Sequence, residues 1–440
     1  MLRREARAGA LSRMLVWIDA TEAEAPPSIF GLGLIERHLH AVRVLRPTPR
    51  RIIIDLAPGR LPPKLDDRRL SRLPIEWRSA TASYASRLRE VLQHAGGDPV
   101  LALDGTTVID PRLPAAMIAR PGTTAVFGRE PQSRAAALLL AGRDATPAFD
   151  ALNLADLAQR LVECGQAQVL QDAEFDGFIR RLRRTLPFYL VRVDSPERAA
   201  RFERFLFWSN YKGSTDLLTR YVYPPLVWLL VRPFARWHVH PNWVTLLSIV
   251  LALGAIPCWT NGAFLAGFMM AYAMSVLDSV DGKLARLTFT DSEIGNVLDH
   301  GLDLVHPPLW YLAWAYGLGL VREGWGSDLG QATIAVVCLY VIDRLVLKIY
   351  PKVFGRGFHT HSRLDSIVRS FIARRNISLA LFTLGYALDL ARPAFFLIVA
   401  WQAATAAYHA ARTIWILGVE KARQGNRAPA EIAGTTATLD

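Results

Sequence analysis

The segment 241–277 constrains the fold of this chain more than any other, because it contains no Asp, Glu, Lys or Arg. One bilayer crossing needs about 20 apolar residues, so this uncharged run is long enough for two helices with a turn between them. The whole chain of 440 residues is 51% apolar and only 20% charged. This composition excludes a disordered or fibrous protein, and the sequence predicts an integral membrane protein.

The second half of the chain contains six apolar segments of helical length, several bounded by tryptophan or tyrosine. Basic residues concentrate in the connections at 286–293, at 348–375 and after 418, whereas the other three connections hold almost none. Positive charge marks the cytoplasmic side of membrane proteins, so both termini of this multi-pass chain are expected in the cytoplasm. The predicted crossings are 242–259, 262–287, 293–319, 331–349, 376–390 and 392–418.

The first half of the chain alternates short β-branched runs with segments of helical periodicity. This alternation predicts a soluble α/β domain whose mainly parallel sheet is covered on both faces. The apolar run at 14–18 is too short for the core of a secretory signal, which favours a cytoplasmic location. The predicted strands are 14–19, 51–56, 73–78 and 100–104, and the clearest helices are 32–45 and 83–95.

Four parts therefore succeed one another: a cytoplasmic α/β domain, an amphipathic juxtamembrane connector, an all-α six-helix transmembrane bundle and a polar tail. The connector mixes aromatic and basic residues, which is typical of a helix lying in the headgroup layer. A first membrane crossing is the alternative, but the apolar stretch of the connector is too short to span. The predicted boundaries are 1–195, 196–240, 241–420 and 421–440.

The chain carries 51 Lys plus Arg against 39 Asp plus Glu, a formal charge of +12. Scattered positive charge suits membrane lipids with anionic headgroups or phosphorylated substrates, and no aromatic or zinc motif supports nucleic-acid binding. The three cysteines, Cys164, Cys258 and Cys338, are too few and too dispersed for a disulfide framework or a thiolate metal site.

The acidic residues of the second and third crossings follow helical spacing. Residues three, four and seven positions apart share one face of a helix, so each crossing presents two carboxylates beside small residues. A short turn joins the two crossings and lets these faces oppose each other. The residues concerned are Asp278, Asp281, Gly282 and Ala285 in the second crossing and Gly295, Asp299 and Asp303 in the third.

Four neighbouring carboxylates cannot all ionise near a bilayer without a compensating cation. An oxygen-only set favours Mg²⁺ or Mn²⁺, and such ions bind a pyrophosphate and neutralise its leaving oxygens. The small side chains let a base or phosphate approach the helix, and Arg286 would neutralise a diphosphate at the cytoplasmic mouth. The alternative is that the acids are solvated or paired with arginines, although intramembrane acids are usually functional.

The stretch 278–303 resembles the signature of the CDP-alcohol phosphatidyltransferase family, Asp-x2-Asp-Gly-x2-Ala-Arg-x8-Gly-x3-Asp-x3-Asp, at every fixed position. Pro241-Asn242-Trp-Val-Thr245 is also similar to the opening of that family's first crossing. The resemblance covers about residues 210–418. It implies a six-helix membrane bundle, often a homodimer, in which the hydroxyl of an acceptor alcohol displaces CMP from a CDP-alcohol donor.

The resemblance implies a role for each motif residue. Asp278, Asp281 and Asp299 would be metal ligands, and Asp303 would lie at the metals as the general base that deprotonates the acceptor. The CDP site would be formed by Asp278, Gly282, Ala285, Arg286 and Gly295.

The acceptor side is predicted from arginines that could bind an acceptor phosphate. Arg344 lies within the fourth crossing beside Asp343, and the others lie in the basic loop that follows. An ion pair is the alternative for Arg344, and lipid headgroup contact is the alternative for the rest. The candidates are Arg344, Arg363, Arg369, Arg374 and Arg375.

The first half of the chain resembles a sugar-phosphate nucleotidyltransferase domain in its order of strands and helices. The resemblance includes Gly31-Leu-Gly-Leu-Ile-Glu-Arg-His-Leu and Leu103-Asp104-Gly105 followed by Asp110-Pro-Arg. It departs after the first strand, where Ala20-Thr-Glu-Ala-Glu-Ala-Pro-Pro has two acids and no glycine to cradle phosphates. A degenerate, regulatory or substrate-presenting domain is therefore expected, and Asp104 is either a turn former or a metal ligand.

Three functions remain at this point. The first is a membrane enzyme that moves a substituted phosphate from a CDP-alcohol to an acceptor, in phospholipid or polyol-phosphate synthesis. The second is a carboxylate-lined cation transporter, which would need acids spread through the membrane depth rather than clustered at one end. The third is a membrane-anchored scaffold, which leaves the four acids unexplained. The motif serves CDP-diacylglycerol donors and CDP-linked polar donors alike, so it does not distinguish between these substrates.

Overall fold

The structure, a computed structural model, describes residues 14–22, 27–46, 48–130, 135–141, 150–179, 182–355 and 357–435. Within these ranges, only the backbone is described at residues 293, 294, 296–300, 302, 303, 360 and 420–435. The chain forms two compact units. The first comprises Met1–Asn210, Ala235–Trp237 and Leu287–Phe289, and the second comprises Tyr211–Phe234, His238–Arg286 and Thr290–Asp440.

The first unit is built on a seven-stranded sheet in the order β3-β2-β1-β4-β7-β6-β8. Strands β1 to β4 are parallel, whereas β7 runs antiparallel to both β4 and β6. This confirms the predicted α/β domain with a mainly parallel sheet. The strands are β1 Leu15–Ala20, β2 Arg51–Leu56, β3 Ile75–Ser79, β4 Val100–Asp104, β5 Thr107–Ile109, β6 Thr124–Phe127, β7 Ala136–Leu140, β8 Gln168–Val169, β9 Phe178–Ile179, β10 Arg184–Thr185 and β11 Leu190–Arg192.

Helices cover both faces of this sheet because alternate residues of each strand point to opposite sides. Val16 and Ile18 pack with Leu39 in one core, while Trp17 packs with Leu88 in the other. The strands are buried on both faces, which is typical of parallel sheets. The helices of this unit are α1 Leu34–Arg43, α2 Tyr84–Ala95, α3 Leu113–Ile118, α4 Leu154–Glu163 and α5 Pro196–Ser209.

Local signals explain where the elements of the first unit begin and end. Ser83 caps α2 by accepting a hydrogen bond from the backbone N–H of Ser86, and Gly96 ends it with φ +61°. A positive φ is easily adopted by glycine, which is why a helix commonly stops there. The predicted strands 51–56 and 100–104 are confirmed to the residue, since each is an apolar run bounded by turn-forming residues.

A buried histidine on α1 gives the first unit a testable pH dependence. The ring of His38 is within hydrogen-bonding distance of the Asp104 carbonyl oxygen, with Nε2 at 3.0 Å, and burial lowers the pKa of His38 to about 4 from the ordinary 6.5. Between pH 6.5 and pH 4, His38 is therefore protonated in the unfolded chain but stays neutral in the folded chain, so stability falls as the pH is lowered. We expect wild type to lose roughly 2–3 kcal/mol of unfolding free energy relative to His38→Gln between pH 7 and pH 4.5.

This expectation is checked by hydrogen exchange of the α1 amides in the full chain, corrected for intrinsic exchange rates, with both proteins measured at each pH. A stability difference between the two proteins that stays constant with pH would show that His38 titrates normally.

The second unit is helical. Its core is dominated by aromatic side chains, among which Trp259, Trp310, Trp314, Phe268 and Phe382 are almost fully buried. A π-helical turn at Leu218–Val222 and a 3-10 turn at Phe358–Thr360 lie between longer helices. The helices are α6 Pro224–Arg236, α7 Pro241–Thr260, α8 Phe264–Leu287, α9 Glu293–Gly317, α10 Leu320–Glu323, α11 Asp328–Phe354, α12 Arg363–Val368, α13 Arg375–Ala387 and α14 Ala391–Thr435.

A helix occupies each of the six predicted crossings, but only three described helices are long and apolar enough to cross a membrane. These are Pro241–Thr260, Phe264–Leu287 and Ala391–Val419. Of the other three, α13 has only 13 residues, about 20 Å at 1.5 Å per residue, and α9 includes residues whose side chains lie outside the described part of the chain. The exposed apolar side chains of α7, including Leu247 and Val250, suit a lipid environment.

Candidate active site

Helix α8 places the first two acids of the motif one turn apart, and α7 contacts the second of them. The Asp281 side chain is buried, and Thr245 Oγ1 on α7 donates a hydrogen bond to Asp281 Oδ2 at 2.7 Å. The other carboxylate oxygen accepts from the backbone N–H of Gly282. A buried carboxylate with two donors is held in one orientation.

Asp278 has a cationic partner from the start of α13. Nη2 of Arg375 lies 2.8 Å from Asp278 Oδ2, and the ion pair is largely buried. Arg375 Nη1 also lies 3.4 Å from Nε2 of His306 on α9. Arg375, which was predicted from the sequence to bind an acceptor phosphate, thus forms an ion pair with an acid of the motif.

The turn before α9 requires the glycine of the motif. Ser292 caps α9 by accepting from the backbone N–H of Gly295 at 3.0 Å, and its hydroxyl donates to Asn242 Oδ1 at 3.2 Å. A Cβ atom added to Gly295 would lie 2.9 Å from both Asn242 Oδ1 and Ser292 Oγ. Glycine therefore lets the first turn of α9 approach the start of α7 closely.

The remaining motif positions lie on the same two helices. A Cβ atom on Gly282 would lie 3.3 Å from Arg286 Nη1, so the guanidinium covers the backbone of the glycine one turn earlier. Ala285 directly precedes Arg286 on α8. Asp299 and Asp303 are one turn apart on α9, but their side chains lie outside the described residues. No group of three or more metal-binding side chains was found among the described residues.

The other predicted arginines are spread over the second unit. Arg344 Nη2 forms an ion pair with Asp343 Oδ2 at 2.9 Å, which is the alternative considered from the sequence. Arg363 begins α12 and is exposed, and Arg369 ends that helix. Arg374 directly precedes α13.

Arg374 acts electrostatically on an acid that the sequence did not single out. Burial alone would raise the pKa of Asp216, but the charge of Arg374 and hydrogen bonds from Thr219 and Asn376 hold that pKa below its usual range. The segment around Asp216 is thereby tied to the start of α13, the same turn that supplies Arg375.

The sequence did not predict the contacts that three side chains make in this site: Thr245, Asn242 and Ser292. Only the similarity of residues 241–245 to a family motif pointed to the first two. The cap at Ser292 is recognisable as a serine three residues before Gly295, a spacing at which a side chain reaches a helix N–H.

Ion pairs lie at the carboxyl ends of strands β1 and β2 in the first unit. Arg87 Nη1 lies 2.8 Å from Asp19 Oδ1 and 3.0 Å from Asp55 Oδ2, and Arg78 Nε donates to Asp55 Oδ1 at 2.9 Å. Asp104 accepts hydrogen bonds from the N–H and hydroxyl of Thr106 and forms a turn. Burial raises the pKa of Asp104 to about 6.

Residues 238–408 match the family model described as CDP-alcohol phosphatidyltransferase. This domain belongs to that family. The resemblance drawn from residues 278–303 is thus confirmed, and the family domain includes α7 to α13 and the start of α14.

Several curated proteins are similar to parts of the chain. Human ethanolaminephosphotransferase 1 is 23% identical over 34% of this chain and 49% of its own length. Archaetidylinositol phosphate synthase of Aeropyrum pernix is 37% identical over 16% of this chain and 37% of its length. Cholinephosphotransferase 1 of Gallus gallus is 31% identical over 27% of this chain and 37% of its length. The chain spans about half or less of the length of these relatives.

A solved structure also matches part of the chain. The 2-C-methyl-D-erythritol 4-phosphate cytidylyltransferase of Thermus thermophilus is 18% identical, with 44% of this chain and 98% of that chain covered at a TM-score of 0.30. A score this low does not establish a shared fold.

The hydroxyl of Thr245 gives a direct test of the site. We expect Thr245→Val to weaken Mn²⁺ binding about 10- to 100-fold, because partners that orient a metal-binding carboxylate contribute that much to affinity. Binding is measured by Mn²⁺ titration of the purified protein. Thr260→Val, at the exposed far end of the same helix, is the matched control and should bind as wild type does. Equal affinity of all three proteins would show that Thr245 does not orient a ligand.

Proposed function

We propose that the chain is an integral membrane CDP-alcohol phosphotransferase. It transfers a substituted phosphate from a CDP-alcohol to the hydroxyl of an acceptor alcohol and releases CMP. The observation that carries the proposal is the convergence of α7, α8 and α13 on the motif acids, where Thr245 and Arg375 hold Asp281 and Asp278.

A divalent cation fits these residues. The donors are carboxylate oxygens, the set that Mg²⁺ or Mn²⁺ prefers, and the ion pair of Asp278 with Arg375 supports a positive partner for this carboxylate. Asp278, Asp281, Asp299 and Asp303 would hold the ion. When bound, it would neutralise charge on the diphosphate and on the leaving CMP.

The other steps are assigned to side chains of this protein. Arg286, with Gly282, Ala285 and Gly295 leaving room beside the helices, binds the diphosphate of the donor. Asp303 accepts the proton of the acceptor hydroxyl. The acceptor oxygen forms a bond to the phosphorus that carries the alcohol, and the bond from that phosphorus to the oxygen of CMP breaks. No covalent intermediate with the protein is required.

The arrangement in the membrane completes the proposal. We place six helices across the bilayer, with both termini and the motif at the cytoplasmic side and the segment 196–240 along the headgroups. Homodimerisation is part of the same proposal. The candidates for an acceptor phosphate are the five arginines named from the sequence, of which Arg344 pairs with Asp343 and Arg375 pairs with Asp278.

The test is to incubate the purified protein and Mg²⁺ with panels of CDP-alcohols and acceptors and to measure CMP. The relatives are named for ethanolamine and choline phosphotransfer and for archaetidylinositol phosphate synthesis, so the panel includes CDP-ethanolamine, CDP-choline and CDP-diacylglycerol. We expect CMP only when a donor, an acceptor and the cation are all present. No CMP from any pair, together with Mg²⁺ flux into protein-containing vesicles, would favour a transporter instead.

A further inference from the structure

Two short segments distant in sequence belong to the first unit. They are Ala235–Trp237 and Leu287–Phe289, and they border the stretch 238–286 on either side. That stretch contains α7 and most of α8, and with them Thr245, Asp278 and Asp281. Both chain ends of these two helices are therefore continuous with residues held in the first unit.

The segment Leu287–Phe289 is held by three basic side chains, which we call the Phe289 seat. Arg37 Nη1 donates to the Leu287 carbonyl at 3.1 Å, and Arg69 Nη2 donates to the Phe289 carbonyl at 2.6 Å. The ring of His40 stacks on Phe289 at a centroid distance of 4.7 Å and an interplanar angle of 11°. The Arg37 guanidinium also lies 5.1 Å from the Phe289 ring centre.

Within the Phe289 seat, the backbone of Phe289 has a conformation that phenylalanine rarely adopts. Phe289 has φ +56°, and the left-handed region is unfavourable for a bulky side chain. Arg37 and His40 are both buried, so the Arg37 hydrogen bond and the His40 ring stack form where water competes little, whereas Arg69 is partly exposed. These contacts offset the conformational cost and hold the segment in one position.

The second segment is held by close backbone packing. A Cβ atom on Gly31, which has φ +75°, would lie 2.6 Å from the Ala235 carbonyl oxygen. The Glu203 carboxylate is buried, accepts from the Phe30 backbone N–H at 2.8 Å and lies 3.8 Å from Arg236 Nη2. Residue 31 must therefore be glycine for this approach.

We propose that the Phe289 seat positions the CDP-binding turn of the transferase, with Arg37, His40 and Arg69 as positioning residues. Leu287 directly follows Arg286, and the Ser292 cap that orients Gly295 begins three residues after Phe289. Fixing residues 287–289 thus restricts where α8 ends and where α9 begins. The first unit serves the transferase through this turn, whether or not it catalyses a reaction of its own. The inference rests on the proposed function of the motif.

The test compares Phe289→Ala with Phe289→Tyr in the full-length protein. We expect Phe289→Ala to raise the KM for the CDP-alcohol about tenfold or more, because small misplacements of binding groups are costly, while the KM for the acceptor stays unchanged. Phe289→Tyr keeps the stacked ring and should behave as wild type. Hydrogen exchange of amides 288–297 should be faster in Phe289→Ala only.

Arg37→Met with its matched control Arg68→Met extends the test, since Arg68 is exposed in the same unit. Arg37→Met should reproduce the KM change of Phe289→Ala, and Arg68→Met should not. A lowered melting temperature in Phe289→Ala with unchanged kinetic constants would reduce the Phe289 seat to a structural contact and overturn the proposal. If the wild type itself releases no CMP from any donor, the proposed function fails; if it is active and Phe289→Ala equals it, only the positioning role fails.

Discussion

Replacing Asp303 with asparagine is expected to lower the rate of CMP release by roughly 10²- to 10⁴-fold, the usual contribution of a positioned general base. Asparagine has nearly the shape of aspartate but cannot accept the proton of the acceptor hydroxyl. Because proton removal belongs to the chemical step, kcat should fall while the affinity for the CDP-alcohol changes much less. The measurement is CMP release at saturating donor and acceptor.

The control for this variant is Asp389→Asn, which changes an exposed aspartate in the turn between α13 and α14. It should retain wild-type turnover, and both variants should keep the wild-type melting temperature. Undiminished CMP release by Asp303→Asn would remove the role proposed for this carboxylate.

The second large effect is expected when Asp278 and Asp281 are changed together to asparagine. The double variant loses two of the four carboxylates proposed to hold the cation, and the cation is what attracts the diphosphate of the donor. We expect the affinity for the CDP-alcohol in the presence of Mg²⁺ to fall by about 100-fold or more, because each lost charge interaction contributes on the order of a tenfold change. Equilibrium binding of the donor measures this directly.

The charge-conserving variant Asp278→Glu provides the comparison for the double variant. It keeps a carboxylate opposite Arg375, whose guanidinium lies 2.8 Å from Asp278, and should retain measurable donor affinity. An unchanged affinity in the Asp278→Asn, Asp281→Asn variant would count against a metal pocket at this site.

Local sequence signals predicted most elements of the fold. The strands at 51–56 and 100–104 and the helix ended by Gly96 follow from apolar runs and turn residues close to them in sequence. Apolar length placed a helix in each of the six predicted crossings, and three of these described helices are long and apolar enough to span a membrane. Apolar length alone does not reveal that α13 ends after 13 residues.

The site was predictable only as far as helical spacing reaches. Spacing places Asp278 and Asp281 on one face of α8, but their partners lie 97 and 36 residues away in sequence. Four of the five acceptor candidates lie in the same basic loop, and nothing near Arg375 in sequence distinguishes it as the partner of Asp278. Such pairings depend on the packing of helices against one another, which periodicity within one helix does not reveal.

The most direct test is an experimental structure of the protein with Mn²⁺ and a CDP-alcohol, in which anomalous scattering locates the metal. The account predicts an anomalous peak bound by the carboxylates of Asp278, Asp281, Asp299 and Asp303, next to the diphosphate of the nucleotide. A nucleotide-bound, active protein in which these four carboxylates point apart and contact no Mn²⁺ would contradict it.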